Sequence, residues 1–268
     1  MLASITLPSG SSVSSPCPLS SPGSVSARLT SVPLPSPNML PGCTLTTVRL
    51  SAFIKRPAML AHDYLARPDT CTAIRITHSP LKEWHAFATI PEPERDEFSL
   101  IVSRAGDWTS NIIQNPPTKL WVRGLPTNGV LRVAPMFRRM ILVATGSGIG
   151  PCANTIFEGR IPVRLLWTSP NVRETFGNEF VDQILRYAPD AVLYGKDYDL
   201  SRVRGSDAPR VIDTRKHGKP DLVKLTLKMV KEFNAEAVGI ISNPAVTEKL
   251  VYGLTSRGIP AYGAIFDS

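Results

Sequence analysis

The sequence predicts two folded parts in series: a small antiparallel β domain of barrel type, then a doubly wound α/β domain with a parallel sheet. Three observations carry this reading. Residues 140–144 (MILVA) form an apolar run of strand length that passes at once into GSGIGP and then a segment able to form a helix. Beyond residue 139, short apolar runs alternate with segments of helical spacing, the rhythm of a parallel sheet. Before it, compact β-prone runs are divided by turn residues such as Pro80, Pro91 and Pro93.

Residues 1–42 are dense in Ser and Pro, hold no acidic residue and carry Arg28 as their one basic residue. A segment of that kind buries too little apolar surface to offset its ordering, so a disordered tail is expected. The β domain is expected over 43–135, with strands near 46–50, 72–76, 85–90, 98–102 and 119–122 and a short helix starting near Thr109. That set is leaner than a usual six-stranded barrel. The α/β domain is expected over 136–268, with strands at 140–144, 163–167, 191–194, 210–212, 237–241 and 261–266 and helices at 174–187 and 221–233. Ser242-Asn243-Pro244 opens a further helix, with Asn243 as its N-cap and Pro244 in its first turn, and Gly258 closes it.

With 268 residues, 43% hydrophobic and 19% charged, the chain is globular in composition and carries a formal charge of +8. Its basic residues are scattered and not interleaved with aromatics, which argues against nucleic acid and leaves phosphate-rich cofactors, anionic lipid or an acidic protein partner. Cys17, Cys43, Cys71 and Cys152 show no CxxC spacing and no adjoining His cluster, so no metal site and no disulfide framework is expected. A reducing compartment, the cytoplasm, follows as the expected location. Cys71 reads as a strand core residue and Cys152 as a small packing residue, while His217 reads as part of a solvated loop. No apolar run approaches the roughly 18–20 residues needed to cross a bilayer as a helix.

Three stretches offer chemistry, each with a plain structural alternative. The turn Gly146, Ser147, Gly148, Ile149, Gly150, Pro151 lacks Cβ atoms at its glycines, which lets the backbone turn sharply and approach a ligand. The free N–H groups of the following helix favour an anion there, a pyrophosphate above all; a tight strand–helix turn without a ligand explains the same residues. On a strand, His85, Phe87 and Thr89 share one face and could hold a flat heteroaromatic, whereas an ordinary amphipathic strand would place Phe87 in the core. After residue 102, Gly106 is followed by Thr109 and Ser110, which could cap a helix whose N–H groups form a second anion site, or simply start that helix.

These stretches carry a resemblance. EWHAFATI resembles the EWHPFT flavin-binding strand of the ferric reductase and NADPH oxidase dehydrogenase modules, FSLIVSRAGDWTSNI resembles the strand and GDWT helix start that follow it, and VATGSGIGP resembles their nucleotide turn. All belong to the ferredoxin–NADP reductase superfamily, and the similarity, which spans 69–268, is greatest to fungal flavoproteins of this type. The resemblance implies an FAD-binding barrel followed by an NAD(P)-binding domain. It places His85, Phe87 and Thr89 against the isoalloxazine and ribityl of FAD, and Gly106 and Thr109 at its diphosphate. Gly146, Ser147, Gly148, Gly150 and Pro151 would pass beneath the NAD(P)H pyrophosphate, and Trp167, Thr168 and Ser169 would lie near the adenosine ribose. Arg173 and Lys196 are suited to a 2′-phosphate, which favours NADP over NAD. Ala86 stands where the family has proline, and Ser242-Asn243-Pro244 stands where it has a CGP turn near the nicotinamide; Phe266 partly replaces a near-terminal aromatic.

The expected activity is a flavin-dependent NAD(P)H oxidoreductase, with electrons passed to an acceptor that is either a membrane haem protein or a small molecule. That places it in the cytoplasm or at the cytoplasmic face of a membrane. No side chain is assigned as a catalytic acid or base. The alternative is a catalytically degenerate module for nucleotide sensing or protein interaction, or a fragment of a larger multidomain or membrane protein.

Overall fold

The computed structural model describes residues 71–93, 97–117, 119–123, 126–170, 172–195, 210–213 and 221–264, together with the backbone of four earlier strands. The chain divides into two compact units, Met1–Asn128 and Gly129–Ser268. The sequence boundary after residue 135 falls within a run of 3-10 turns, Val130–Met136, at the start of the second unit.

The first unit is an antiparallel sheet built from β1 (Ser4–Thr6), β2 (Ser24–Arg28), β3 (Leu45–Val48), β4 (Ser51–Ile54), β5 (Thr72–Thr77), β6 (His85–Pro91), β7 (Glu97–Ser103), β8 (Lys119–Val122) and β9 (Thr127–Asn128). Its order is β1-β7-β6-β5-β8-β2-β4, with β3 also on β7 and β9 on β5. The sheet is larger than the sequence suggested. Strands as short as β9 have no alternation to read, and β1 and β2 lie in the Ser/Pro-rich region expected as a tail. Their pairing with β7 and β8 has a simple physical reason: a sheet edge offers unpaired N–H and C=O groups to any extended segment, whatever its side chains. The rest of 1–42 lies outside the described residues.

Helix α1 (Asp107–Gln114) presents Trp108, Ile112 and Ile113 to this sheet. They join Ile74, Ile76, Phe98, Leu100, Val102 and Leu120 in one buried cluster, with Phe87 and Val122 packed against it. Cys71 is buried as expected, but it occupies the turn just before β5, with φ +56°, and not the strand itself.

The second unit is a parallel sheet of β10 (Met140–Thr145), β11 (Val163–Thr168), β12 (Val192–Gly195), β13 (Arg210–Asp213), β14 (Ala237–Ile241) and β15 (Ala261–Gly263). The order β13-β12-β11-β10-β14-β15 means the chain winds outward from β10 in one direction and then returns to start again at β14. Each strand expected from the sequence is present, the last of them shorter. Residues 141–144 and β14 are buried throughout, and β11 is buried at residues 165–167, which is why these stretches read as apolar runs. Each such Val, Leu or Ile contributes about 1.5–3 kcal/mol of burial.

Among the described residues, the helices of this unit are α2 (Ile149–Glu158), α3 (Val172–Phe176), α4 (Asn178–Tyr187), α5 (Leu222–Phe233) and α6 (Pro244–Thr255). The single helix expected over 174–187 is therefore two, parted at Gly177, whose φ of +85° is open to glycine and closed to a helix. Asp221 caps α5 by accepting from the N–H groups of Val223 and Lys224. Asn243 caps α6 as expected, its Oδ1 accepting from the N–H of Val246 at 3.0 Å. Cys152 is fully buried within α2, the packing role expected of it. His217 lies outside the described residues.

Candidate functional site

A doubly wound sheet has a natural crevice where the strand order reverses, at the C-terminal ends of the strands on either side. Here those strands are β10 and β14. The turn Gly146–Gly148 leaves β10 and runs straight into α2, with Gly146 in the left-handed region at φ +51°. Gly148 is helical in conformation, so its need for glycine is steric: a Cβ there would lie 2.2 Å from the carbonyl oxygen of Ile241. The close approach at this glycine is made to the backbone of β14.

Two further bonds pin the turn. Thr145 Oγ1 and Ser242 Oγ are 2.6 Å apart, joining the ends of β10 and β14, and Trp167 donates from Nε1 to the Gly146 carbonyl at 3.1 Å. Trp167 is fully buried and packs edge-on against Phe176 and Phe180, so its side chain supports the turn from inside the core. No side chain caps α2 at Gly148, in contrast to the starts of α5 and α6. Gly150 is buried in the first turn of α2, and Pro151 beside it brings no N–H to that end. What remains is a fixed helix start with no capping side chain and positive potential at its end, suited to an anion.

Around it, Thr168 is half-buried at the end of β11 and Ser169 is buried just beyond. Arg173 on α3 forms an ion pair with Asp182 on α4, Nη2 to Oδ1 at 2.6 Å, and a second bond to Asn178. Asn243 spends its carbonyl oxygen on capping α6. Lys196 and Phe266 lie outside the described residues.

In the first unit, the face of β6 that carries His85, Phe87 and Thr89 is the inward face, because these residues pair or align with buried Ile74 and Ile76 of β5. Phe87 packs against the core cluster. Thr89 is fully buried and donates to the Thr72 carbonyl at 3.0 Å, with the Thr72 hydroxyl 2.9 Å away. The Thr89 hydroxyl ties β6 to the start of β5. His85, at the open end of the strand, is half-exposed.

Two residues that the sequence reading passed over complete this corner. Trp108 lies parallel to the His85 imidazole, centroids 4.0 Å apart at 22°, and is also stacked at 6.0 Å from Phe87. Glu83 Oε2 is 3.0 Å from His85 Nε2. Both sit inside the quoted EWHAFATI and GDWT stretches, so the signal was present; what hid them was attention to the residues of one strand face. The indole Nε1 of Trp108 is buried without a hydrogen-bond partner among the described residues. At the start of α1, the Thr109 hydroxyl accepts from the N–H groups of Ala105 and Gly106 and donates to the Gly106 carbonyl. Gly106 is exposed, and a Cβ built on it would meet nothing within 4 Å.

Comparison with known proteins sets these features in a family. Adenylate-forming reductase 03009 of Coprinopsis cinerea is 63% identical over 206 residues, covering 77% of this chain and 18% of that protein. Adenylate-forming reductase 06235 of the same fungus is 59% identical over 206 residues, again 77% of this chain and 18% of its own length. The chain thus spans under a fifth of the curated relatives it matches. In three dimensions it resembles a ferredoxin NADP+ reductase from Neisseria gonorrhoeae with bound FAD and NADP, at a TM-score of 0.53 and 14% identity over 76% of this chain and 83% of that one. That likeness is one of fold, the ferredoxin reductase type that the resemblance implied. The family described as adenylate-forming reductase 03009, C-terminal domain, matches residues 130–203 and 194–268, and with those matches running through the second unit the chain belongs to that family.

Proposed function

We propose that the chain is a flavin-dependent reductase module, taking a hydride from NAD(P)H onto FAD and handing electrons to an acceptor. The observation that carries this reading is the pinned glycine turn at the reversal of the parallel sheet, opening an α2 without a capping side chain in a chain of ferredoxin reductase fold. The neighbour of that fold from Neisseria gonorrhoeae holds both FAD and NADP.

The residues fit the two cofactors unequally. For the nicotinamide nucleotide the fit is good: the turn at Gly146–Gly148 and the first N–H groups of α2 would hold the pyrophosphate. Ser242 keeps capacity for a second hydrogen bond after its bond to Thr145, since a hydroxyl has one donor and two acceptor sites. It would orient the nicotinamide where the related reductases place a thiol. Arg173 would meet a 2′-phosphate and favour NADPH over NADH, sharing its charge with Asp182; Lys196 would assist.

For FAD, His85, Gly106 and Thr109 are accessible in part or whole, the buried N–H of Trp108 lacks an acceptor among the described residues, and Thr89 is buried with its hydroxyl bonded to Thr72. Phe87 would offer only its uncovered edge. When bound, the flavin supplies the hydride-accepting and electron-passing chemistry. The protein's part is to hold the ring and its diphosphate tail. The acceptor is a small molecule or a membrane haem protein; no helix among the described residues is long and apolar enough to cross a membrane.

A second reading, a nucleotide-binding module without hydride transfer, draws on the hydroxyl of Ser242 in place of the thiol and on the indole stacked over His85. An absorbance spectrum of purified protein with added FAD, before and after anaerobic NADPH, separates the two. A bound flavin that NADPH bleaches supports the proposal. A bound flavin left yellow supports the second reading, and a colourless protein that still binds NADPH overturns the flavin assignment altogether.

A further inference from the structure

Resting on the flavin reading, we infer that Glu83 and Trp108 are positioning residues that present His85 to a ribityl hydroxyl of the flavin, and not to its phosphates. His85 opens β6 and is half-exposed, a place where an imidazole would ordinarily turn freely. Trp108 removes that freedom in one direction. The indole is 8% exposed, anchored by the same helix that buries Ile112 and Ile113, and its plane lies within 22° of the imidazole at 4.0 Å. The ring plane is thereby fixed.

Glu83 removes the remaining ambiguity. An imidazole in a fixed plane can still flip, exchanging its two nitrogens, and can carry its proton on either. A carboxylate only accepts, so Oε2 at 3.0 Å from Nε2 requires the hydrogen on Nε2. Neutral His85 then carries a lone pair on Nδ1, for which no partner is seen among the described residues. With the two side chains 31% and 40% exposed, the pair is worth less than about 1 kcal/mol to the fold, so folding alone is a weak reason for it.

The stack thus offers a ligand one acceptor, His85 Nδ1; the Nε1 of Trp108 is buried and has no hydrogen-bond partner among the described residues, but a ligand outside the core does not reach it. A polyol hydroxyl can donate to Nδ1. A phosphate oxygen only accepts, and it would face the lone pair of Nδ1.

The test uses the free protein first. In the protein labelled with 15N-histidine, the ring-nitrogen NMR signals assigned to His85 by their loss in H85Q should show the Nε2–H tautomer, and E83Q should mix the two tautomers. Binding is then measured by fluorescence titration with riboflavin and with lumiflavin, which lacks the ribityl chain. E83Q should weaken riboflavin about tenfold and leave lumiflavin unchanged, while W108F, which retains a stacking ring, should keep both the native tautomer and the native riboflavin affinity. An Nδ1–H tautomer in the native protein overturns the inference, as does an equal loss of both flavins in E83Q. If the native protein binds neither FAD nor riboflavin, the flavin reading fails and the ligand half of the inference with it, while the tautomer still decides whether Glu83 positions His85.

Discussion

The chain makes the same junction twice, a strand passing through glycine into a helix, once after β7 and once after β10. After β10 the junction is held from both sides, by β11 through Trp167 and by β14 through Ser242 and the Ile241 carbonyl. After β7 it is closed by one hydroxyl of its own helix, that of Thr109, and its glycine faces open space. Glycine is therefore required by the fold at Gly148 and is left over at Gly106. The difference separates a residue kept for packing from one whose only visible use is to leave room.

Gly148→Ala should have the largest effect on the fold. A methyl cannot occupy a point 2.2 Å from the Ile241 carbonyl oxygen, so β14 or the turn must move, at a cost of about 1–3 kcal/mol or more. Chemical denaturation of the second unit, followed by Trp167 emission, measures it; native stability in this variant would show that the turn is not clamped. Next comes Trp167→Phe, which keeps most of the ring packing and removes the donor to Gly146. We expect a loss of about 1–2 kcal/mol, with weaker NADPH binding as the turn loosens. A variant that loses stability but binds NADPH as before would confine Trp167 to the core and uncouple the turn from it.

How much of this was legible in the sequence follows the same division. The parallel sheet was readable strand by strand because its central strands carry buried apolar runs and the glycine turn follows β10 directly. The antiparallel sheet was less so: β1, β2 and β9 are held by main-chain pairing, which leaves little trace in side-chain pattern. At the site, the glycines, Asn243 and the thiol-to-hydroxyl change at Ser242 were visible as residues. What each does depends on its neighbour in space. Alternation correctly put His85, Phe87 and Thr89 on one face, but could not say that the face turns inward, toward Trp108 and the core. Likewise Arg173 was visible as a cation, and Asp182, nine positions later on the next helix, was not visible as its partner.

Thr109→Val tests the weaker junction. It removes the acceptor for two backbone N–H groups at an exposed helix start, where water replaces part of what is lost, so about 1 kcal/mol is expected from the first unit. Thermal melts monitored by far-UV circular dichroism should show the shift, smaller than that of Gly148→Ala.

Gly106→Ala should disturb the fold least, and for that reason it discriminates best. The backbone at Gly106 is extended, with φ −176° and ψ −171°, a conformation any residue adopts, and the new methyl meets nothing within 4 Å. Alanine is a somewhat poorer N-cap than glycine, which sets the expected change at about half a kcal/mol. If the diphosphate of FAD crosses this point, however, the methyl stands in its path, and flavin affinity should fall about tenfold, equivalent to about 1.4 kcal/mol. Stability and affinity are measured on the same preparation, by denaturant melt and flavin titration. Unchanged affinity would remove the start of α1 from the flavin site, and the contrast between the two junctions would then reduce to one clamped by its neighbouring strands and one that only begins a helix.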